Sequence, residues 1–171
     1  MIIETKNLTL ISSNIDILMS AIKGNEALAI KINVNVPDNW TEFGVYALQY
    51  ALDNLSESEE EINWWTYLPI HKQDNKLIGS GGYKGKPTDE GIVEIGYEIA
   101  PDYRNKGLAT EFAKGLIENA LKDENVKSIV AHTLGHENAS TKVLKKCGFV
   151  KVEEIIDPDE GLIWKWELNS K

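Results

Sequence analysis

With 171 residues, 42% of them apolar and 26% charged, the chain is long enough to bury one core without staples. Eighteen basic residues against 27 acidic ones leave a net charge of −9, which argues against a general affinity for nucleic acid or an anionic membrane, since both want a basic face. One cysteine, Cys147, cannot close an internal disulfide, and no stretch approaches the ~18 apolar residues of a membrane span, so a soluble cytoplasmic domain is expected.

The opening MIIETKNLTLISS mixes acid and base early and lacks a signal-peptide apolar run, which makes the sequon Asn138-Ala139-Ser140 coincidental. Within it, NLTLI (7–11) reads as a first strand, and Ser12-Ser13-Asn14 as a polar break. Ile15, Leu18, Met19 and Ile22 recur at helical spacing until Gly24 closes that helix. Asp38 is the expected N-cap of a second helix that carries Phe43, Tyr46, Ala47, Tyr50 and Ala51 on one side. SESEEE (56–61) reads as a solvated acidic loop.

Strands follow. WWTYLPI (64–70) and LIGSGGY (77–83) flank a polar turn and form a hairpin; GKPTDEG (85–91) is a further turn, and IVEIGYEIA (92–100) is the next strand, ended by Pro101. Leu108, Ala109, Phe112, Ala113, Leu116, Ile117, Ala120 and Leu121 trace an apolar helical stripe. VKSIVAHTL (126–134) is a strand, ASTKVLKKCGF (139–149) a short helix ended by Gly148, and FVKVEEII (149–156) and LIWKWEL (162–168) are the last two strands. The order β α α β β β α β α β β, with no repeat and no linker, gives a mixed α/β sheet in a single domain spanning 1–171.

The stretch PDYRNKGLAT (101–110) carries the chemistry. A strand that hands over to a helix through a short turn leaves backbone N–H groups unpaired at the helix start, where the helix dipole favours an anion. Gly107 and Ala109 keep side chains out of the way, and Arg104 and Lys106 add counter-charge, Arg with a fork suited to phosphate. A diphosphate ligand fits these features; a surface turn with two solvated cations is the bland alternative. GSGGYKGKPT (79–88) is not a phosphate loop: the glycine spacing is one residue too long, Pro87 stands where Ser or Thr should, and a strand follows instead of a helix.

Arg104-Asn105-Lys106-Gly107-Leu108-Ala109 resembles the R/Q-x-x-G-x-G/A signature of the GNAT superfamily of acetyl-CoA-dependent N-acetyltransferases. VEIGYEIAPDY is similar to that family's central strand, HENASTKVLKKCGF to its later loop and helix, and ETKNLTLI to the start of its RimJ/RimL branch, which acetylates protein N-termini among other amines. The resemblance implies a mostly antiparallel sheet flanked by helices, with the strand EIGYEI splayed away from SIVAHTL. It implies acetyl-CoA as acyl donor and no metal. The pantetheine arm is then expected on the backbone of Tyr97 and Ile99. The pyrophosphate is expected on the turn of Arg104, Asn105, Lys106, Gly107, Leu108, Ala109 and Thr110, with Asn138 as a further contact.

The implied reaction is direct attack by an amine on the thioester, which requires a proton acceptor. Glu94 and Glu98 share one strand face; Glu94 stands where some family members carry a general base, although either could belong to a solvated sheet face. The tyrosine that many members carry on the later helix is missing between Ala139 and Phe149, and Ser140 is the implied substitute for assisting the thiolate. Asn138 and Ser140 equally suit a helix N-cap. His132 and His136 could shuttle a proton, and Cys147 reads as a small core residue rather than a nucleophile. Trp40, Trp64, Trp65, Tyr46 and Tyr50 could line an acceptor slot, with core packing as their other reading.

The acceptor is expected to be a primary amine, a peptide or protein N-terminus ahead of a small-molecule amine. A non-catalytic acyl-CoA-binding module is the alternative from another class. Monomer and homodimer are both left open.

Overall fold

A computed structural model describes residues 1–170 of the chain. Its strands are β1 (Ile2–Glu4), β2 (Leu8–Ser12), β3 (Thr66–His71), β4 (Lys76–Leu77), β5 (Gly79–Tyr83), β6 (Ile92–Ile99), β7 (Ser128–Leu134), β8 (Val150–Asp157) and β9 (Gly161–Asn169). The helices are α1 (Ile15–Lys23), α2 (Asn25–Ile32), α3 (Gly44–Glu57), α4 (Leu108–Ala120) and α5 (Ala139–Lys146). The sheet order is β1-β2-β3-β5-β6-β7-β9-β8, with β4 also on β3. Every pairing is antiparallel except β6 with β7, the pair joined by the α4 crossover.

That parallel pair is short. Its rungs are Ile92–Ser128, Val93–Ile129 and Glu94–Val130, and there they stop. Beyond them β6 still pairs with β5 up to Ile99, and β7 with β9 up to Leu134. The sheet therefore parts into two wings from Glu94 onward, as the family resemblance led us to expect.

Strand alternation sends side chains to two cores. Leu8, Leu10, Tyr67, Val93, Ile95, Ile129 and Ala131 meet Phe112 and Leu116 of α4 on one face. Leu68, Ile70 and Leu77 meet Leu18, Leu28, Leu48 and Leu55 of α1–α3 on the other. Glu94, Gly96 and Glu98 consequently point to the α1–α3 side, and Tyr97 to the α4–α5 side.

Several expectations need correcting. The first strand is preceded by β1, and although Gly24 closes α1 as expected, at φ 145° it also starts α2, a helix the sequence did not announce. The α2 segment NEALAIKI has apolar residues all round, and only Leu28 is buried, so it carried no readable stripe. Asp38 caps nothing. It accepts from Asn25 Nδ2, and α3 starts six residues later. The buried stripe of α3 is Leu48, Ala51 and Leu55, which leaves Phe43, Tyr46 and Tyr50 exposed, Tyr46 to 91%. The acidic tract closes α3 and continues into a 310 turn over 59–64, where Glu61 pairs with Lys86 at 3.1 Å.

The strand expected over 77–83 breaks at Ile78. Pro69 of β3 has no N–H to offer there, so Ile78 N donates to Pro69 O while Ile78 O turns to accept from Ala100 N at 2.7 Å.

Glu111 fastens α4 to the β1–β2 turn, accepting from Thr5 Oγ1, Asn7 N and Asn7 Nδ2. Burial pushes its carboxyl up, but those donors more than offset this and hold it below the usual carboxylate range. The stability this provides is present above the ordinary Glu pKa and is lost as pH falls through the lowered folded value. Thermal melts of Glu111→Gln should show a lower Tm at pH 7 and a shallower fall in Tm between about pH 5 and 3 than the parent. Parallel curves would deny the carboxylate this role.

Candidate active site

The turn after β6 has the form the sequence suggested. Pro101–Tyr103 make one 310 turn, Asn105 and Gly107 take left-handed φ values of 59° and 77°, and Leu108 begins α4. Among the described residues, the backbone N–H groups of residues 105–110 make no hydrogen bond to protein; the first in the helix that does is Glu111 N, to Gly107 O. Six amides thus face outward at the positive end of a 13-residue helix, next to the mouth of the split between β6 and β7. A diphosphate group fits this cradle.

The cations beside it are less free than expected. Arg104 Nε donates to Ile99 O at 2.8 Å, and its guanidinium reaches Glu42 at 3.0 Å. The Ile99 carbonyl therefore already accepts one hydrogen bond, whereas Tyr97 keeps its edge toward β7 without a ladder or side-chain partner. Even-numbered residues of β6 bond toward β5, as Lys84 N to Glu94 O does, so Tyr97 N and O face the gap. Lys106 Nζ folds back to Asp102 O at 2.9 Å and lies 5.0 Å over the Tyr103 ring. Leu108 turns its side chain into the core, Ala109 packs against it, and Thr110 is half-buried beside them.

At the throat of the split three charged or polar side chains meet. Glu94 Oε1 lies 2.5 Å from Lys84 Nζ and 2.9 Å from His132 Nδ1. Burial pushes the Glu94 carboxyl up, but Lys84, and then His132, outweigh it and hold the carboxyl below the usual range. Glu94 is an ionised acceptor, locked between two donors. Lys84 was not singled out from the sequence, although a hairpin turning over 85–91 sets position 84 opposite 94. His132 comes from across the crossover, and no local pattern pairs it with Glu94.

Glu98 is elsewhere. Its carboxylate accepts from Thr41 Oγ1, Glu42 N at 2.8 Å, Phe43 N at 3.2 Å and Ser80 Oγ at 3.0 Å. It caps the start of α3 from across the sheet, and this cap replaces the one sought at Asp38. Both of its carboxylate oxygens thus accept from protein donors.

On the opposite face, Ser140 Oγ lies 3.4 Å from the Tyr97 hydroxyl. Burial pushes the Tyr97 phenol up to about 12, so it keeps its proton. The sequence suggested Tyr97 for its backbone; its phenol supplies a tyrosine beside α5 that α5 itself lacks.

Asn138 caps α5: its Oδ1 accepts from Thr141 N at 3.0 Å, and its Nδ2 donates to the carbonyl of the exposed His136 at 3.1 Å. Asn138→Ala should cost about 1 kcal/mol of stability, seen in urea denaturation, while Asn138→Asp keeps most of it. Cys147 is half-buried at the end of α5, and burial raises its thiol, which suits packing and not nucleophilic attack. Trp40 and Trp65 are core residues and Trp64 packs against the core, whereas Tyr46 and Tyr50 stand exposed on the α3 side.

A sheet split behind a helix start with bare amides suits a ligand that carries both an extended amide-bearing arm and a phosphate group, and the comparisons with known proteins supply the class. The profile of the acetyltransferase (GNAT) domain matches residues 24–150, and the chain belongs to that family. It is 27% identical over 150 residues to an uncharacterized N-acetyltransferase, YjdG, of Bacillus subtilis, covering 87% of this chain and 89% of that one. Its fold is similar to ribosomal-protein-S5-alanine acetyltransferase from Vibrio fischeri, with a TM-score of 0.72, 16% identity and coverage of 99% and 96%. It is equally similar to RimL, a ribosomal L7/L12 α-N-protein acetyltransferase solved with coenzyme A, with a TM-score of 0.73, 10% identity and coverage of 99% and 98%.

Proposed function

We propose that the chain transfers the acetyl group of acetyl-CoA to a primary amine within a ternary complex, and that a peptide or protein N-terminus is the acceptor. The observation that carries this reading is the row of unpaired amides over 105–110 at the mouth of the split sheet. Acetyl-CoA supplies an activated acyl carbon; the chain supplies grip and proton traffic. The amides hold the pyrophosphate, and the free edge of β6 at Tyr97 pairs with the amide-bearing arm as an added strand would. Ser140, backed by the Tyr97 hydroxyl, stands where a departing thiolate needs a donor. The acidic charge of −9 suits an acceptor that arrives protonated.

Calorimetry with acetyl-CoA, followed by thiol release on a panel of N-terminal peptides and small amines, tests this. Binding with turnover of peptides is the expected result. Turnover confined to small amines would replace the acceptor class, and tight binding without turnover on any amine would leave an acyl-CoA-binding module. No binding at high micromolar acetyl-CoA would overturn the reading.

A further inference from the structure

We propose that the acceptor amine seats on the bare surface over Gly96 and gives its proton to Nε2 of His132, a ring held in place by Glu94 and Lys84. The inference rests on the acetyltransferase reading and adds to it the residue that takes the proton and the floor on which the acceptor lies.

The first observation is the interaction between His132 and Glu94. A carboxylate can only accept, so Nδ1 of His132 carries the hydrogen in the 2.9 Å contact, and in the neutral ring Nε2 is the nitrogen with the lone pair. Glu94 in turn is fixed by Lys84, and a carboxylate pinned to an ammonium gains little by taking a proton. The pair therefore divides the work as a carboxylate–imidazole couple does in hydrolases: the acid orients and the ring accepts. The side chains of His132 and Glu94 are 27% and 23% exposed, shielded yet reachable by a substrate.

The second observation is the space. Gly96 follows Glu94 by two residues on the same face of β6, and the rungs to β7 end at Glu94–Val130, so His132 stands across the opened gap from Gly96. A Cβ added at Gly96 would meet nothing within 4 Å, and its φ lies outside the left-handed region. The glycine is required neither by backbone strain nor by a packed neighbour. Its missing side chain leaves an open floor between Glu94 and Glu98.

The charged groups facing the ring from adjoining strands are Glu94 on β6, Lys84 beyond β5 and Lys165 on β9 directly opposite. Glu153 of β8 lies 3.9 Å from Lys165, and Glu167 is opposite Val130. In the reaction the amine, neutral after releasing its extra proton to water, bonds through nitrogen to the acyl carbon, and the carbon–sulfur bond breaks with its electron pair left on sulfur. One amine proton moves to His132 Nε2 and leaves from there to sulfur or water.

The test uses the full chain, with acetyl-CoA, the peptide and amine panel, and three measurements. Imidazole nitrogen NMR of the free protein should show the Nδ1–H tautomer for His132, mixed tautomers in Glu94→Gln, and an Nε2–H tautomer in the parent would overturn the proposal. His132→Gln should lower kcat about 100-fold or more across the pH range while leaving the acetyl-CoA affinity unchanged. Gly96→Ala, which the fold accommodates, should raise the acceptor KM at least ~5-fold with the same acetyl-CoA affinity, because even one added methyl group is felt at a close-fitting surface. Parental rates in both variants would sink this inference alone. Absence of acetyl-CoA binding in the parent would instead remove the reading beneath it.

Discussion

Thr110→Glu should weaken acetyl-CoA binding by roughly 5- to 150-fold, or about 1–3 kcal/mol, while leaving the protein as stable as before or slightly more so. The two effects have opposite signs because they come from the same field. Thr110 is the third residue of α4, and the amides of 105–110 have no protein acceptor. A carboxylate in a first helical turn interacts favourably with the dipole, worth about 0.3–1 kcal/mol. The same carboxylate would occupy the region that the amides offer to a pyrophosphate, and like charges a few ångströms apart repel by the larger amount above. Thr110→Gln supplies the bulk without the charge and separates crowding from electrostatics. Raising the salt should shrink the Glu effect. If calorimetry gives Thr110→Glu the parental affinity for acetyl-CoA, the phosphates lie somewhere else and the assignment of this helix start is lost.

The helix start was legible because everything that makes it is local: a strand stopped by Pro101, a turn of small residues, and an apolar stripe from Leu108 onward. The same holds for the hairpins and for the alternation that puts Glu94 and Glu98 on one face. What alternation cannot say is which partner waits across the sheet. Glu98 looked like a possible base because three of its four partners, Thr41, Glu42 and Phe43, lie 55 to 57 residues away in a loop without a motif. His132 looked solitary because its carboxylate is 38 residues distant, across a helix. Arg104 looked free for phosphate because nothing in the sequence announces that its Nε returns to Ile99 O.

The acceptor side was the least readable region. Positions 43, 46, 47, 50 and 51 form a good apolar helical stripe, but so do Leu48, Ala51 and Leu55, and a helix lying on one sheet can bury only one of them. Aliphatic side chains won the interior. The aromatic set was left outside, with Phe43, Tyr46 and Tyr50 all exposed.

Gly82→Ala should be the most destabilising single-methyl change in the sheet, costing more than about 3 kcal/mol and lowering Tm by about 10 °C. Gly82 sits at φ 133°, and a Cβ there would lie 1.9 Å from Trp65 O and 3.1 Å from Tyr67 N. Both are backbone atoms, one in the residue just before β3 and one within it, so no rotamer change relieves the clash, and the left-handed φ adds its own cost. Its neighbour across the ladder is Gly96, where the same methyl meets nothing. Gly96→Ala should therefore melt within about 1 kcal/mol of the parent, since alanine removes only some chain entropy there. Two glycines on one rung, given the same substitution, separate backbone necessity from open space. They also explain the run GSGGYKGKPT without any phosphate: Gly82 lets β5 approach β3, and β6 follows directly, leaving no helix start for an anion to use. Equal melting of both variants in urea would mean that β3 yields to the methyl group, and that close approach is not what fixes glycine at position 82.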